Sequence, residues 1–248
     1  MLVKTLLLAM ICLQLNTQAM ANEPLRFVAN TAWGMPFARF EGERLTGGVM
    51  FDLGMALGAA TGRPVSFVSL PRKRIEGAVL AGDVDIRCYT NPTWIDAPKA
   101  YRWTEPLFEL RDVIVGGVGG VGAKPLHQVS DAAQGSILSA VLGYRYPSLD
   151  AHFDSGLFKR EDTVDQEKVL LKVGAGRTPY GVSNQAALDW YRLTTPRHGL
   201  ADWTLTVATS AIHCAIPKTN PWSQGTLIEA LNSLKRNGKI DAILRSYK

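Results

Sequence analysis

The sequence has few of the residues that build metal centres or nucleophilic active sites. It contains four histidines and three cysteines in 248 residues. His127, His152, His198 and His213 are scattered, without the short spacings typical of zinc ligands and without a nucleophile motif nearby. The sequence therefore predicts no metal site, no cofactor and no catalytic residue.

Long apolar runs are missing beyond the first residues of the chain. The run from Leu6 to Leu15 is too short for a membrane helix, which needs about 20 apolar residues. It follows Lys4 and precedes the small-residue site at 19–21, a pattern typical of a secretory signal peptide. We expect residues 1–21 to be cleaved after Ala21 and the mature chain to be periplasmic and not membrane-embedded.

The positive charge is modest and is not clustered. Removing the leader takes one Lys from the 27 cations and none of the 22 acids, which leaves a net charge of +4. A nucleic-acid surface would need Lys and Arg gathered on one face, so we expect no nucleic-acid partner. The charge is compatible with a site that attracts a small anion. We expect a monomer.

One glycine motif resembles a dinucleotide loop without meeting its physical requirement. Gly117, Gly119 and Gly122 match the pattern G-x-G-x-x-G after a predicted strand. A pyrophosphate site also needs a helix N-terminus directly after the loop, and Pro125 stands where that helix would run. We therefore expect no nucleotide site at this loop.

Strands alternate with helices along the whole mature chain, which favours an α/β fold with mostly parallel sheets. In the helix at 71–82, Pro71 suits the first turn and Gly82 the left-handed end, and Asp52 is a candidate cap for the helix before it. The predicted strands are 25–30, 65–70, 83–90, 112–118, 135–142, 180–184 and 203–218, and the predicted helices are 47–61, 71–82, 149–153, 166–173, 185–193 and 223–237, followed by a short last helix.

Aromatic and polar side chains are concentrated in the loops that follow predicted strands. In open α/β sheets ligands bind outside the carboxyl ends of the strands, so these loops are candidates for a ligand site. The alternative is that the aromatic residues pack against the core and the arginines are solvated. The candidates are Trp33, Phe37, Arg72, Tyr89, Thr90, Asn91, Trp94, Tyr144 and Arg145.

The order of these elements resembles that of the bacterial family 3 periplasmic solute-binding proteins, which have the type II periplasmic-binding-protein fold. The segments that carry the resemblance are TAWGMPF, FDL, LPRKRIEGAVLAGDVDI, WTEPLF and LNSLKRNGKIDAILRSY. It implies two α/β lobes joined by two crossing strands, with the ligand in the cleft between them. Lobe one would comprise 22–107 and 211–248, and lobe two 108–210.

Two cysteines, Cys88 and Cys214, remain after the leader is removed. From the residues alone, a disulfide and two buried free thiols are both open. The resemblance implies that the strand at 212–216 lies beside 85–89. That placement makes Cys88 and Cys214 a disulfide candidate.

Departures from the family pattern bear on the ligand. Relatives hold an amino acid's carboxylate with an Arg and its ammonium with an Asp, and the matching positions here fall near Ala97 and on Asn184. Because both charges are lost, an ordinary amino acid is not the expected ligand. Asn184 stays a candidate contact. We expect a small anionic or carboxylate-bearing molecule between Arg72 and Arg145, stacked on Trp33 or Tyr144.

The resemblance implies a binding protein that serves an ABC permease or a membrane sensor and is not an enzyme. The alternative is a cleft enzyme of the cyclohexadienyl dehydratase type on the same fold. The candidate loops offer almost no carboxylate to act as an acid or base, which weighs against that alternative. A sensory or orphan domain with little affinity for any ligand is the third possibility.

Overall fold

A computed structural model describes residues 23–119, 124–220 and 224–247. The predicted signal peptide and Gly122 of the glycine motif lie outside these residues. Eleven strands are described: β1 Leu25–Asn30, β2 Arg39–Glu41, β3 Arg44–Gly47, β4 Val65–Leu70, β5 Arg87–Thr90, β6 Tyr101–Trp103, β7 Phe108–Gly117, β8 Ser136–Val141, β9 Phe158–Thr163, β10 Tyr180–Asn184 and β11 Leu200–Pro217.

Seven α-helices are described between and after these strands. They are α1 Val49–Thr61, α2 Arg72–Ala81, α3 Asp150–Asp154, α4 Gln166–Gly174, α5 Gln185–Thr194, α6 Gln224–Arg236 and α7 Lys239–Arg245. Within the described ranges, no helix combines the length and the apolar character needed to cross a membrane.

The first three predicted strands lie side by side and parallel. β1 pairs with β4 along its whole length, and Phe27 forms a parallel bridge with Ile86 just before β5. The expected parallel arrangement is confirmed here. Helix α2 ends at Gly82 in the left-handed region (φ 78°), as predicted.

Asp52 does not cap α1, contrary to the prediction. The N-cap is Gly48, and Asp52 lies one turn inside the helix, where its carboxylate accepts a hydrogen bond from the Tyr247 hydroxyl at 2.9 Å. The aspartate therefore ties α1 to the end of the chain. Glycine at the cap also permits a close backbone approach, because a side chain on Gly48 would meet the backbone of Ala38 at 2.7 Å.

A second sheet has the strand order β5-β11-β7-β10-β8-β9, with β6 also paired to β11. β11 is 18 residues long and runs antiparallel to β7 over most of its length before it pairs with β5 and β6. Its pairing register shifts at three places: between Leu200 and Thr204, between Thr206 and Ala208, and between His213 and Ala215. Strands β7 and β11 thus connect the region around β5 to the region around β8 and β10.

The apolar core consists of several clusters. The largest combines both ends of the described chain and includes Leu25, Leu53, Ile86, Ile212 and Leu231. A second belongs to the middle of the chain and includes Ile114, Leu138, Leu149, Phe158 and Val182. The two clusters are built on opposite ends of the β7–β11 pair.

The disulfide between Cys88 and Cys214 is present, in the largest core cluster. The antiparallel pairing of β5 with β11 brings the two cysteines together, since His213 is opposite Thr90 and Ala215 is opposite Arg87. The neighbouring placement that the resemblance implied is confirmed.

Candidate functional site

A cavity of about 60 Å³ lies where the ends of several strands converge. This is the volume open to the centres of water-sized spheres, of which one water needs on the order of 10–15 Å³. The cavity therefore has room for several waters or a small ligand. Its walls come from the ends of β1, β5 and β10, the start of α2 and α4, strand β7 and the loop after β8. The lining residues are Val28, Asn30, Trp33, Arg72, Ile75, Arg87, Cys88, Tyr89, Thr90, Trp94, Leu110, Asp112, Tyr144, Arg145, Tyr146, Gln166 and Asn184.

Eight of the ten residues predicted as ligand contacts line this cavity, and two do not. Phe37 packs behind the wall with its ring stacked 4.4 Å from that of Tyr89, and it faces a separate groove of about 610 Å³. Asn91 accepts hydrogen bonds from Thr93 and donates one to the carbonyl of Ala211 at 2.8 Å. Both side chains support the loop and strand around the cavity.

Arg72 presents a partly buried guanidinium at the start of α2. Its one hydrogen bond within the described part of the chain is donated to the backbone carbonyl of Trp94 at 2.9 Å. Burial, and next the nearby Arg87 guanidinium, lowers the pKa of Arg72 to about 10. Arg72 remains charged at neutral pH and is placed to bind an anionic group in the cavity.

Arg87 is buried beside Arg72, and its charge is neutralised within the protein. It donates a hydrogen bond to Glu76 at 2.8 Å, and Glu76 also accepts one from the Tyr101 hydroxyl at 3.1 Å. Burial, and next the Glu76 carboxylate, raises the pKa of Tyr101 to about 12. This network joins α2 to β5 and fixes the wall that carries Arg72.

Arg145 forms an ion pair with Asp96, which belongs to the loop after β5. Both side chains are exposed, so the pair lies at the rim of the cavity. Close by, a side chain on Gly143 would approach the stems of Lys73 and Arg72 to within 3.4 Å. The loop after β8 therefore packs directly on the start of α2. In this conformation the Arg145 guanidinium is already engaged by the Asp96 carboxylate.

Tyr89 forms the aromatic wall in an unusual backbone conformation. Its φ is 54°, a left-handed value that is rare for a bulky residue. The ring lies 5.3 Å from that of Trp33, and the hydroxyl accepts a hydrogen bond from the Asn184 amide at 3.3 Å. The left-handed turn at Tyr89 thus holds its ring between the end of β1 and the end of β10. Such strained residues cluster at functional sites.

Asp112 is the carboxylate that the sequence reasoning missed. It lies in β7, opposite Asn184 in β10 and Ala208 in β11. Burial raises its pKa from 3.8 to about 7. In the sequence, Asp112 is a charged residue directly before an apolar run. That pattern is typical of the start of a strand and does not indicate a place in a cavity. The expectation that the cavity contains almost no carboxylate is therefore corrected.

This pKa shift predicts an effect of Asp112 on stability. Between pH 4 and pH 7 the unfolded state loses the carboxyl proton while the folded state keeps it, so stability falls as pH rises through that range. Asp112→Asn removes this loss, so at pH 8 the free energy of unfolding of the variant should exceed that of the wild type by on the order of 4 kcal/mol. Urea denaturation at pH 4 and pH 8 measures the difference in unfolding free energy between the variant and the wild type. This difference should nearly vanish at pH 4. An equal difference in stability at both pH values would contradict the raised pKa of Asp112.

The described residues contain no group of three or more His, Cys, Asp or Glu side chains arranged to hold a metal ion. The polar and aromatic side chains that line the cavity are those of arginine, aspartate, threonine, tyrosine, tryptophan, asparagine and glutamine.

No family model and no curated protein sequence matches the chain. Solved structures do match it. An ancestral arginine-binding protein bound to arginine is 20% identical and has a TM-score of 0.73, with 92% of this chain and 99% of that chain covered. The substrate binding protein of an amino acid ABC transporter is 17% identical, also at a TM-score of 0.73, with 91% and 99% covered.

A third match is the ancestral amino acid-binding protein AncCDT-1, described as a precursor of cyclohexadienyl dehydratase. It is 19% identical and has a TM-score of 0.71, with 90% of this chain and 94% of that chain covered. At these identities the matches establish the fold. The chain thus has the α/β fold of the type II periplasmic-binding proteins, in agreement with its resemblance to the family 3 solute-binding proteins.

Proposed function

We propose that this chain is a periplasmic solute-binding protein that captures a small carboxylate-bearing ligand without altering it. The observation that carries the proposal is Arg72, a partly buried guanidinium that lines the cavity and has only the Trp94 carbonyl as a hydrogen-bond partner in the described structure. A guanidinium can hold a carboxylate through two parallel hydrogen bonds, and a low local dielectric strengthens that pair. Trp33 and Tyr144 supply flat apolar surface beside it.

The proposal includes two lobes, with 22–107 and 211–248 in the first and 108–210 in the second. Arg72 and Trp94 would then reach the cavity from one lobe, and Asp112 and Tyr144 from the other. A ligand that touches both lobes binds the closed state more tightly than the open state, and this difference drives closure. The crossing strands β7 and β11 would form the hinge.

The fold matches support this role because the matched structures include proteins described as bound to arginine and to glutamine. Export by the cleavable leader would place the mature chain in the periplasm. There it would deliver the ligand to an ABC permease or present it to a membrane sensor.

A cleft enzyme is the second candidate, and one observation favours it. Asp112 is a carboxyl group with a pKa near 7 inside the cavity, a property suited to general acid or base catalysis. Native mass spectrometry of the purified protein separates the two functions. A ligand that remains unchanged over hours supports the carrier, and a product that accumulates supports the enzyme.

Substitution of Arg72 tests the carrier directly. Arg72→Gln should weaken binding of the carboxylate identified by mass spectrometry by about 100-fold, because a charge-assisted pair in a closed cavity is lost. Isothermal titration calorimetry measures the affinity. Arg74→Gln, an exposed position in the same helix, is the matched control and should bind like the wild type.

Arg145→Gln should weaken ligand binding less than Arg72→Gln does, since the Arg145 guanidinium is already paired with Asp96. Wild-type affinity in the Arg72→Gln protein would refute the proposed site.

A further inference from the structure

The arginines that line the cavity leave a single uncompensated positive charge in the described structure. The guanidinium of Arg87 is paired with the Glu76 carboxylate, and that of Arg145 with the Asp96 carboxylate. Arg72 forms no ion pair with any described residue. An anion with one negative charge therefore matches the cavity, provided that the carboxyl group in its wall is neutral.

Asp112 supplies that carboxyl group, and its surroundings favour the neutral acid. It forms no ion pair and no hydrogen bond with any described residue. The titratable groups that face it are the hydroxyls of Tyr89 from β5 and of Tyr144 and Tyr146 from the loop after β8. Its neighbour on β10 is Asn184, an uncharged amide. An ionised carboxylate without a cation or a donor is costly in such a place.

Among the described residues, no cation pairs with Asp112 from the other elements packed against β7. These elements are β11, in which Ala208 lies opposite Asp112, and the helices α4 and α5. The charged group at the cap of α4 is Asp165, a carboxylate that acts on Tyr144. Burial alone raises the pKa of Asp112 to about 7. Below that pH the side chain is mainly a carboxylic acid, whose O–H group can donate a hydrogen bond into the cavity.

Several groups in the cavity wall have a hydrogen left to donate. The Thr90 hydroxyl is buried and has no partner in the described structure. The Asn30 side chain accepts from the Ala32 backbone through its oxygen, and its amide nitrogen has no described partner. The Tyr89 hydroxyl accepts from the Asn184 amide, so its own proton stays available. Because buried polar groups are almost always paired, this wall fits a ligand with oxygen acceptors.

An ammonium group would find little in this wall to compensate its charge. The amide oxygen of Gln166, whose nitrogen donates to the Val182 carbonyl, is a neutral acceptor. One neutral oxygen does not replace the water lost by a buried ammonium ion. A carbonyl oxygen on the ligand, in contrast, would accept from the free donors at no cost in charge.

Arg72 and Asp112 are close enough for one small molecule to contact both. Burial raises the pKa of the Tyr144 hydroxyl, and both Arg72 and Asp112 lie near enough to modify it. The cavity between them has a volume of about 60 Å³, which suits a small molecule. A ligand whose carboxylate meets Arg72 therefore has its other end within reach of Asp112.

We propose, on the basis of the proposed function, that the ligand is a small 2-oxo acid, a monocarboxylate with a carbonyl oxygen where an amino acid has its ammonium group. Arg72 holds the carboxylate. Asp112, as a neutral acid, and the Thr90 hydroxyl donate hydrogen bonds to the carbonyl oxygen. This chemistry differs from that of the matched structures described as bound to arginine and to glutamine.

Binding of a 2-oxo acid should weaken as pH rises. The bound state keeps the Asp112 proton, whereas the free protein loses it near pH 7 because burial raises the pKa of this carboxyl to about 7. Affinity should therefore fall by roughly tenfold between pH 6 and pH 8, and binding at pH 8 should take up a proton. A site that held an ammonium group with an ionised Asp112 would show the opposite pH dependence.

Isothermal titration calorimetry on the full mature chain tests this ligand class with matched triads of probes. Each triad combines a 2-oxo acid, the amino acid and the unsubstituted acid of the same length. The triads are glyoxylate, glycine and acetate; pyruvate, L-alanine and propionate; and 2-oxobutyrate, L-2-aminobutyrate and butyrate. At pH 6 we expect the tightest 2-oxo acid to bind at least tenfold more tightly than either partner, roughly the worth of one hydrogen bond to a buried group.

Two further measurements check charge and proton uptake. Oxalate and malonate carry a second negative charge and should bind more weakly than pyruvate, because the cavity offers one uncompensated cation. Titration of pyruvate at pH 8 in two buffers with different enthalpies of protonation measures the proton taken up on binding.

Three variants locate the effect. Asp112→Asn keeps a donor but cannot titrate, so the preference for the 2-oxo acid should remain and its pH dependence should vanish. Asp112→Leu and Thr90→Val each remove a donor and should reduce the preference over the unsubstituted acid by roughly three- to tenfold. Glu109→Gln, which removes an exposed carboxylate from β7, is the control and should behave like the wild type. Circular dichroism confirms that each variant is folded.

The outcomes separate this ligand class from the proposed function. Tighter binding of an amino acid than of its 2-oxo acid, or an affinity that rises with pH, overturns the 2-oxo acid and leaves the carboxylate-binding function intact. Tighter binding of oxalate or malonate than of the monocarboxylates also overturns it. Binding of no probe at pH 6 or pH 8 does the same. The carboxylate-binding function falls only where Arg72→Gln leaves the affinity for the ligand identified by mass spectrometry unchanged.

Discussion

Replacement of Cys88 and Cys214 by alanine should lower the free energy of unfolding by about 3–5 kcal/mol. The disulfide links residues 126 positions apart, so it removes much of the freedom of the unfolded chain. It also lies in the largest apolar cluster, where both cysteines are at most 1% exposed. Loss of the bond would remove the covalent link between β11 and β5, the strand that lines the cavity.

Urea denaturation with and without a reductant measures this effect on the wild-type protein. The reductant should destabilise the wild type to the level of the double-alanine variant and should not affect the variant. Equal stability of the oxidised wild type and the variant would contradict the expectation.

The same substitution should also weaken ligand binding, because Cys88 lines the cavity and Tyr89 follows it directly. The left-handed backbone of Tyr89 costs on the order of 1–3 kcal/mol and persists only where its surroundings enforce it. The disulfide is one of those constraints, together with the stacked ring of Phe37.

Glu76→Gln should destabilise the protein by about 3–5 kcal/mol, because it leaves the Arg87 charge buried without a counterion. The Arg87 side chain is 5% exposed and its ion pair with Glu76 measures 2.8 Å. Glutamine keeps the shape of the side chain, so the loss of stability is due to the lost charge and not to changed packing. Thermal and urea unfolding measure the loss.

An exposed ion pair in the same protein provides the control. Arg44 and Glu41 are 77% and 64% exposed, and Glu41→Gln should change stability by less than about 1 kcal/mol. Replacing both buried partners, as in Glu76→Leu with Arg87→Met, should recover part of the loss. A small effect of Glu76→Gln, similar to that of Glu41→Gln, would show that water reaches the Arg87 guanidinium.

The regular elements were largely predictable from the sequence because their signals are local. β1, β4 and β10 match their predicted bounds, and α2 ends at the glycine that marks it. β9 was missed because its sequence, FKREDT, is mostly polar and lies at the edge of the sheet, where no alternation of apolar residues is required. The short β2–β3 hairpin was missed for the same lack of apolar pattern.

The candidate site was less predictable because its decisive contacts link distant parts of the chain. Arg145 and its partner Asp96 are 49 residues apart, and nothing in either segment indicates the pair. Asp112 stands at the start of an apolar run, and its place in the cavity depends on how β7 lies against β10. Loop aromatics and Arg72 were identified because ligand sites follow the ends of strands, which is a property of the fold.

The three register shifts in β11 affect the mechanics of the molecule. At each shift the regular ladder of backbone hydrogen bonds is interrupted, so resistance to bending is lowest at 200–204, 206–208 and 213–215. Torsional change would be concentrated at these three points, and the paired segments between them would turn as stiff bodies. A long strand can then transmit a change in the width of the cavity without losing its pairing with β7.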